Sequence, residues 1–311
     1  MSESSGRPAG TAGRSGGQDA SRESAAAAVL ASERQRPRWP DGAHCAVMLS
    51  FDLDGPALWL DEDPGVWHRP RAFSLGAYGP WRAMPRILRL LDRHGAAASF
   101  FVPGWVAETW PQAVRAVAEA GHDLGHHGYL HELFYGRPLA EQRDILIRCS
   151  AIFRNVAGVT PAGFRTPSGD AAAETFELLE ELGIGYSSSM RGDDRPYRWV
   201  LNGRSSDLIE IPARWELDDF PQFGYNDDPP AATGGDRIAS LTGTLGNWRR
   251  EFDGYYSRGL CYVLIMHPQV IGTPGRMLAL DGLLAHIRSR PGTWLATGSQ
   301  IAQWWRRVSP P

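Results

Sequence analysis

From Cys45 onward, short apolar runs alternate with longer stretches whose apolar residues recur every three or four positions. A parallel strand covered on both faces reads as an unbroken apolar run, while the helix that covers it carries a period near 3.6. Repeating that pair along a chain builds a parallel sheet wrapped by helices, which places this protein in the α/β class. CAVMLSFD (45–52) and CYVLIMH (261–267) are the clearest strands, and AASFFV (97–102), GFR (163–165), DLIEIP (207–212) and TWLAT (293–297) extend the series. Helices are predicted over 80–95, 111–121, 139–158, 171–183, 276–290 and around IAQWW, several of them stopped by a glycine such as Gly95, Gly121 or Gly158. A longer helical segment over 235–259 carries internal glycine interruptions.

The full chain of 311 residues is long enough for one large domain of this kind. Residues 1–40, rich in Ser, Gly, Ala and charge, are expected to be a disordered tail, with the folded domain over 41–311. That tail lacks the basic start and long apolar core of a secretion signal, and no run approaches the roughly 20 apolar residues of a membrane span. A cytoplasmic location is the expectation. With 32 Lys and Arg against 35 Asp and Glu, and no basic block, the composition argues against nucleic-acid or membrane partners and for a small or neutral substrate. The three cysteines, Cys45, Cys149 and Cys261, each lie in apolar stretches and read as buried reduced thiols. The twelve tryptophans leave room for a subunit interface, so a homo-oligomer is also anticipated.

Residues able to do chemistry gather at the ends of the strands, where parallel β/α folds collect their ligands. Asp52 and Asp54 close the first strand in FDLDG. Two carboxylates there can divide their work, one binding a cation and one acting as base. The stretch GHDLGHHGYLHE (121–132) holds four of the nine histidines, and both His122/His126 and His127/His131 are i, i+4 pairs able to share one face of a helical turn. Spacing alone does not choose between them. Two imidazoles plus an Asp carboxylate, with one position left open, are the donor set of a catalytic divalent metal. Arg165, in GFRTPSGD, has the planar fork to orient a carboxylate such as Asp52, and His267, in LIMHP, can donate a proton to a leaving nitrogen. The loop-rich, aromatic and acidic segment 190–234 is long enough to line a pocket.

The set FDLDGP, HHGYLHE, GFRTPS and LIMHP, in this order, resembles the NodB-type polysaccharide deacetylase superfamily (carbohydrate esterase family 4-like). LGAYG (75–79), FFVPGW (100–105), LDDFP (217–221) and HPQVIG (267–272) carry the likeness toward its peptidoglycan-deacetylase-like and allantoinase-like branch, over about residues 44 to 305. The resemblance implies an irregular (β/α) barrel with fewer than eight units. It implies that Asp54, His127 and His131 form the metal site, Asp52 is the base that activates water, Arg165 tethers that base and His267 is the acid. On this reading His122 and His126 are structural, and Tyr129, Trp215 and Phe220 contribute to the substrate pocket. One divalent ion is implied, zinc ahead of cobalt, nickel or iron, since two imidazoles and a carboxylate suit them all. The chain departs from the pattern at Gly169, where relatives carry Trp, and at Ser187, where they carry an Asp that supports the acid. The expected activity is hydrolysis of a non-peptide amide, on an N-acetyl or N-acyl substrate. A ring-opening hydrolase of cyclic imides or ureides is the alternative, and a catalytically inactive binding barrel the reading from another class.

Overall fold

Nine strands form one sheet among the residues that the computed structural model describes, 36–60, 63–167, 170–224 and 238–309. They are β1 (Cys45–Asp52), β2 (Ala98–Val102), β3 (Asp123–His126), β4 (Gly163–Phe164), β5 (Tyr186–Ser187), β6 (Tyr197–Leu201), β7 (Arg204–Glu210), β8 (Cys261–Met266) and β9 (Thr293–Leu295). The order is β6-β7-β5-β4-β3-β2-β1-β8, with β9 paired to the start of β1, and every pairing is parallel except the β6–β7 hairpin. The sheet curls into a half-barrel rather than closing. A single parallel bridge, Asp218 to Ile265, brings the segment after β7 against β8.

Helices α1 (Pro70–Tyr78), α2 (Met84–Arg93), α3 (Pro111–Glu119), α4 (Leu139–Ala157), α5 (Ala173–Glu181), α6 (Leu241–Arg258), α7 (Pro274–Arg288) and α8 (Gly298–Val308) cover the outside. The predicted helix over 80–95 forms as α2, entered through a wide turn at Gly79–Ala83. α6 runs without a break through Gly243, Gly246 and Gly254, so the expected interruptions are absent. Ser240 caps its start by accepting the Gly243 N–H, and buried Trp248 and Phe252 anchor it, which offsets the weak helix propensity of glycine. No helix of the described residues is long and apolar enough to cross a membrane.

Of the predicted tail, residues 1–35 lie outside the described residues, and the folded unit begins at Arg38 rather than 41. Trp39 is the reason. It is buried against Trp294 and Trp305, with ring centroids 6.2 and 5.8 Å away, and its Nε1–H donates to the Gly259 carbonyl at 2.9 Å. Burying an indole stabilises by about 2–3 kcal/mol at the usual area coefficient.

Every residue of β1, β2 and β8 is buried, as continuous apolar runs require. At the amino-terminal end of the barrel Tyr186 fills the space that glycines leave. A Cβ on Gly163 would lie 2.2 Å from its Cζ and one on Gly298 2.4 Å away. Its hydroxyl donates to Asp123, which also takes hydrogen bonds from Ser99 and from the backbone and side chain of Ser299. The barrel floor is therefore closed and rigid, and the opposite rim carries the polar groups.

Candidate active site

Asp52 is the last residue of β1, and Asp54 follows two residues on; both are buried. His127 follows β3, Arg165 follows β4, Ser188 follows β5 and His267 follows β8. Parallel register puts all of these carboxyl-terminal ends on one rim, so residues up to 215 positions apart in sequence meet there, as Asp54 and Gln269 do at 3.4 Å.

The histidine stretch is not a helical turn. His126 ends β3, Gly128 takes a φ of +71°, and His131 itself sits at a φ of +65°. This left-handed path costs a non-glycine residue roughly 1–3 kcal/mol and occurs where surrounding structure compensates. Here it turns the His127 and His131 rings toward each other, with centroids 4.8 Å apart, and the buried Glu132 carboxylate secures the loop by accepting the Tyr129 N–H at 2.7 Å. His126 instead packs beside Ser150 and Phe153, and His122 beside Phe100, away from the cluster.

Asp54 Oδ1 lies 3.4 Å from His127 Nε2 and 3.9 Å from His131 Nε2, and it is a buried oxygen with no hydrogen-bond partner. One donor atom from each of the three residues falls within 4.8 Å of the others. A tetrahedral ion with ligand distances of about 2.1 Å needs donors about 3.4 Å apart, so the set fits a small divalent cation. The Arg165 carbonyl accepts from His127 Nδ1–H at 2.9 Å, which leaves the Nε2 lone pair free to face Asp54. Burial pushes His131 down to about 4, so its ring is neutral at pH 7, as a metal ligand must be. Burial opposes ionisation of Asp54, but His131, His127 and His267 together hold it below the usual carboxylate range, at about 2.

Arg165 is anchored by four hydrogen bonds within the protein. Its Nη1 donates to Asp52 Oδ1 at 2.7 Å and to Ser50 Oγ at 2.9 Å, while Nε and Nη2 donate to the Ser188 carbonyl and hydroxyl at 2.8 and 2.9 Å. The guanidinium thus fixes one Asp52 oxygen. The other lies 3.9 Å from His267 Nε2.

His267 is held by a residue that the sequence reading overlooked. Asp219, fully buried, accepts the His267 Nδ1–H at 2.7 Å and the His267 backbone N–H through both oxygens at 3.0 Å. Burial of the ring works against its charge, but the Asp219 hydrogen bond and charge, with Asp54 and Asp218 behind them, raise His267 well above its ordinary value. Asp218, Asp219 and His267 also form a donor cluster, yet Nδ1 is committed to Asp219, so the cluster is an acid–imidazole pair rather than a second ion site. Asp219 was legible only as part of LDDFP. Ser187, at the position where the resemblance places the supporting Asp, is buried and donates to Ser189 Oγ at 2.9 Å, away from His267. Support for the acid comes from a different loop. Gly169 lies outside the described residues.

These groups surround a cavity of about 250 Å³ bounded by Asp52, His127, His131, Arg165 and His267 and walled by Trp215 and Phe220. The aromatic segment does line it, through Arg191, Trp215, Asp218, Phe220 and Pro221, with 225–237 outside the described residues. Tyr129, expected in the pocket, is not part of it. The left-handed turn at Gly128 sends its ring outward, where Arg148 covers it at 3.4 Å from the ring centroid and its hydroxyl donates to Glu108 at 2.9 Å.

A parallel half-barrel with an Asp/His cluster, a tethered carboxylate and a buried imidazole at the carboxyl ends of its strands defines a hydrolase of the NodB type. The polysaccharide deacetylase family profile matches residues 77–187. A protein of Mycobacterium smegmatis assigned to the polysaccharide deacetylases superposes with a TM-score of 0.83 at 36% identity, over 89% of this chain and 97% of that one. The peptidoglycan deacetylase of Helicobacter pylori is 28% identical over 289 residues, 85% of this chain and 97% of that protein. The Puue allantoinase shares the fold, with a TM-score of 0.74 at 22% identity over 89% of this chain and 95% of that one. The chain belongs to the polysaccharide deacetylase family.

Proposed function

We propose that this protein is a metal-dependent N-deacylase that cleaves the amide of an N-acetyl or N-acyl group on a sugar or a small molecule. One observation carries the reading: Asp52 on Arg165, the two imidazoles of the Asp54–His127–His131 cluster and His267, backed by Asp219, all line one 250 Å³ cavity. Asp54, His127 and His131 would hold the divalent ion, which when bound supplies a Lewis acid that polarises the amide carbonyl and lowers the pKa of water. Asp52 is the base. With one oxygen tied to Arg165, its other oxygen takes a proton from the attacking water as the water oxygen joins the acyl carbon. His267, kept protonated by Asp219, gives its Nε2 proton to the departing nitrogen as the carbon–nitrogen bond breaks. An acid and an amine result.

The H. pylori relative named for peptidoglycan makes an N-acetylated sugar the first substrate to test. A second reading, hydrolytic opening of a cyclic imide or ureide, is favoured by the cavity volume, which holds one ring with a few substituents between Trp215 and Phe220. Intact Asp52, Arg165 and His267 argue against a barrel that only binds. The deciding experiment incubates metal-reconstituted protein with N-acetylated sugars, linear N-acyl amides and cyclic imides or ureides, and analyses products by mass spectrometry, with Asp52→Asn as control. A free acid beside a new amine supports the deacylase, and a single product heavier by one water supports ring opening. No product from any class, with metal bound, refutes both.

A further inference from the structure

The cavity contains two guanidiniums, and they differ in one respect. Arg165 commits four of its five N–H donors to Asp52, Ser50 and Ser188 and is held in place by them. Arg191 stands just beyond the end of β5, on the aromatic side of the cavity, with its Cζ over the Trp215 ring, 3.7 Å from the centroid. It makes one hydrogen bond, a long one of 3.4 Å to the Ala213 carbonyl, and among the described residues no carboxylate forms an ion pair with it. A guanidinium presents five N–H donors in a rigid fork and stays charged at any physiological pH. Contact with Trp215 holds the guanidinium in the cavity wall while one hydrogen bond to Ala213 leaves other N–H donors for a ligand, and such a fork suits bidentate capture of a planar anion.

Energetics point the same way. A half-buried cation without an ion-pair partner is costly, and part of the cost is recovered when an anion enters. The acids across the cavity, Asp52 and Asp218, lie too far to pair with it, and burial pushes Asp218 up to about 7, which weakens its repulsion of an incoming anion. The hydroxyl of the neighbouring Ser189 is already engaged, with Ser187 and with the Thr166 N–H. Arg191 is therefore the wall group best placed to recognise charge.

We propose that Arg191 is a specificity-determining residue that binds a carboxylate on the substrate, so that the compound this site hydrolyses is a small N-acyl molecule carrying a carboxylate within the same 250 Å³ cavity as the amide. This rests on the hydrolase reading above and narrows its substrate class to acylated amino acids and acylated sugar acids, as against neutral N-acetyl sugars.

The test sets an acid against a neutral counterpart: N-acetylglycine against N-acetylglycinamide, which differ in charge alone, and N-acetylmuramic acid, which adds a lactyl carboxylate, against N-acetylglucosamine. Calorimetric Kd and, where turnover occurs, kcat/KM are measured on the metal-loaded wild-type protein, Arg191→Gln and Arg191→Lys. Hydrogen bonds between charged groups predict that the wild type favours the acid of each pair by roughly 10- to 100-fold, and that the ratio falls to about one in Arg191→Gln. Arg191→Lys keeps the charge but loses the fork, and should retain part of the preference. If Arg191→Gln does not fold, a several-fold drop in the ratio for Arg191→Lys supports the assignment and an unchanged ratio overturns it. A wild-type ratio near one overturns it too, as does a preference that survives in Arg191→Gln, which would place the carboxylate on the metal cluster instead. A preference that depends on Arg191 without hydrolysis of any compound would sink the hydrolase reading and leave the carboxylate site standing.

Discussion

Replacing Asp219 by Asn keeps the shape of the side chain and one oxygen to accept from His267, but removes the charge that holds the imidazole protonated. In the native site that carboxylate takes the His267 Nδ1–H at 2.7 Å and the backbone N–H at 3.0 Å, fully shielded from solvent. A hydrogen bond between charged groups is worth about 1.5–3 kcal/mol. At 1.36 kcal/mol per unit, its loss should lower the His267 pKa by roughly 1–2 units. The sign follows from the role of the acid. The protonated ring is the active form, activity is lost as pH rises through the His267 pKa, and a lower pKa moves that loss to lower pH. At pH 8 the variant should therefore lose roughly 10- to 100-fold in kcat/KM relative to wild type, with the deficit shrinking as pH falls. The shift can be read without a substrate, by following the His267 ring proton through a pH titration by NMR. An unchanged His267 midpoint in Asp219→Asn would refute the reasoning, because another group would then be keeping the imidazole charged.

Asp52→Asn should retain the metal and lose activity by about 10²–10⁴, whereas His131→Ala should lose the metal, which elemental analysis after dialysis distinguishes. Gly163→Ala would set a Cβ 2.2 Å from the buried Tyr186 ring, and overpacking of about 1–3 kcal/mol should lower the calorimetric melting temperature by roughly 2–10 °C; an unchanged melting point would mean that the barrel floor yields. Burial pushes the Cys45 and Cys149 thiols up to about 12 and Cys261 well above its ordinary value, so a thiol reagent should find all three unreactive in the folded protein and reactive in guanidinium.

The strands that carry the site were legible because burial on both faces leaves an unbroken apolar run. β1 matches CAVMLSFD residue for residue, and β8 matches CYVLIMH up to Met266, one residue short of His267. β3 was not legible, since DLGH is short, polar and glycine-bearing, and its strand character comes from pairing with β2 and β4. The same holds for β5, two residues long, and for β6, whose partner in the hairpin is β7. Local pattern reports what a segment buries, and these segments are strands only because neighbours complete their hydrogen bonds.

By itself the sequence determined the α/β class, the buried thiols and the set of residues able to do chemistry, because each follows from periodicity, burial and side-chain type. Only the tertiary structure decided how those residues are used. The left-handed turn at Gly128 and His131, not a helix, brings the two imidazoles together, and the same turn carries Tyr129 out of the pocket. The bridge between Asp218 and Ile265 lays Asp219 beneath His267, giving the imidazole a partner that Ser187 does not supply. Contacts such as that between Asp219 and His267, 48 residues apart, depend on strand order and loop path, which no local pattern encodes.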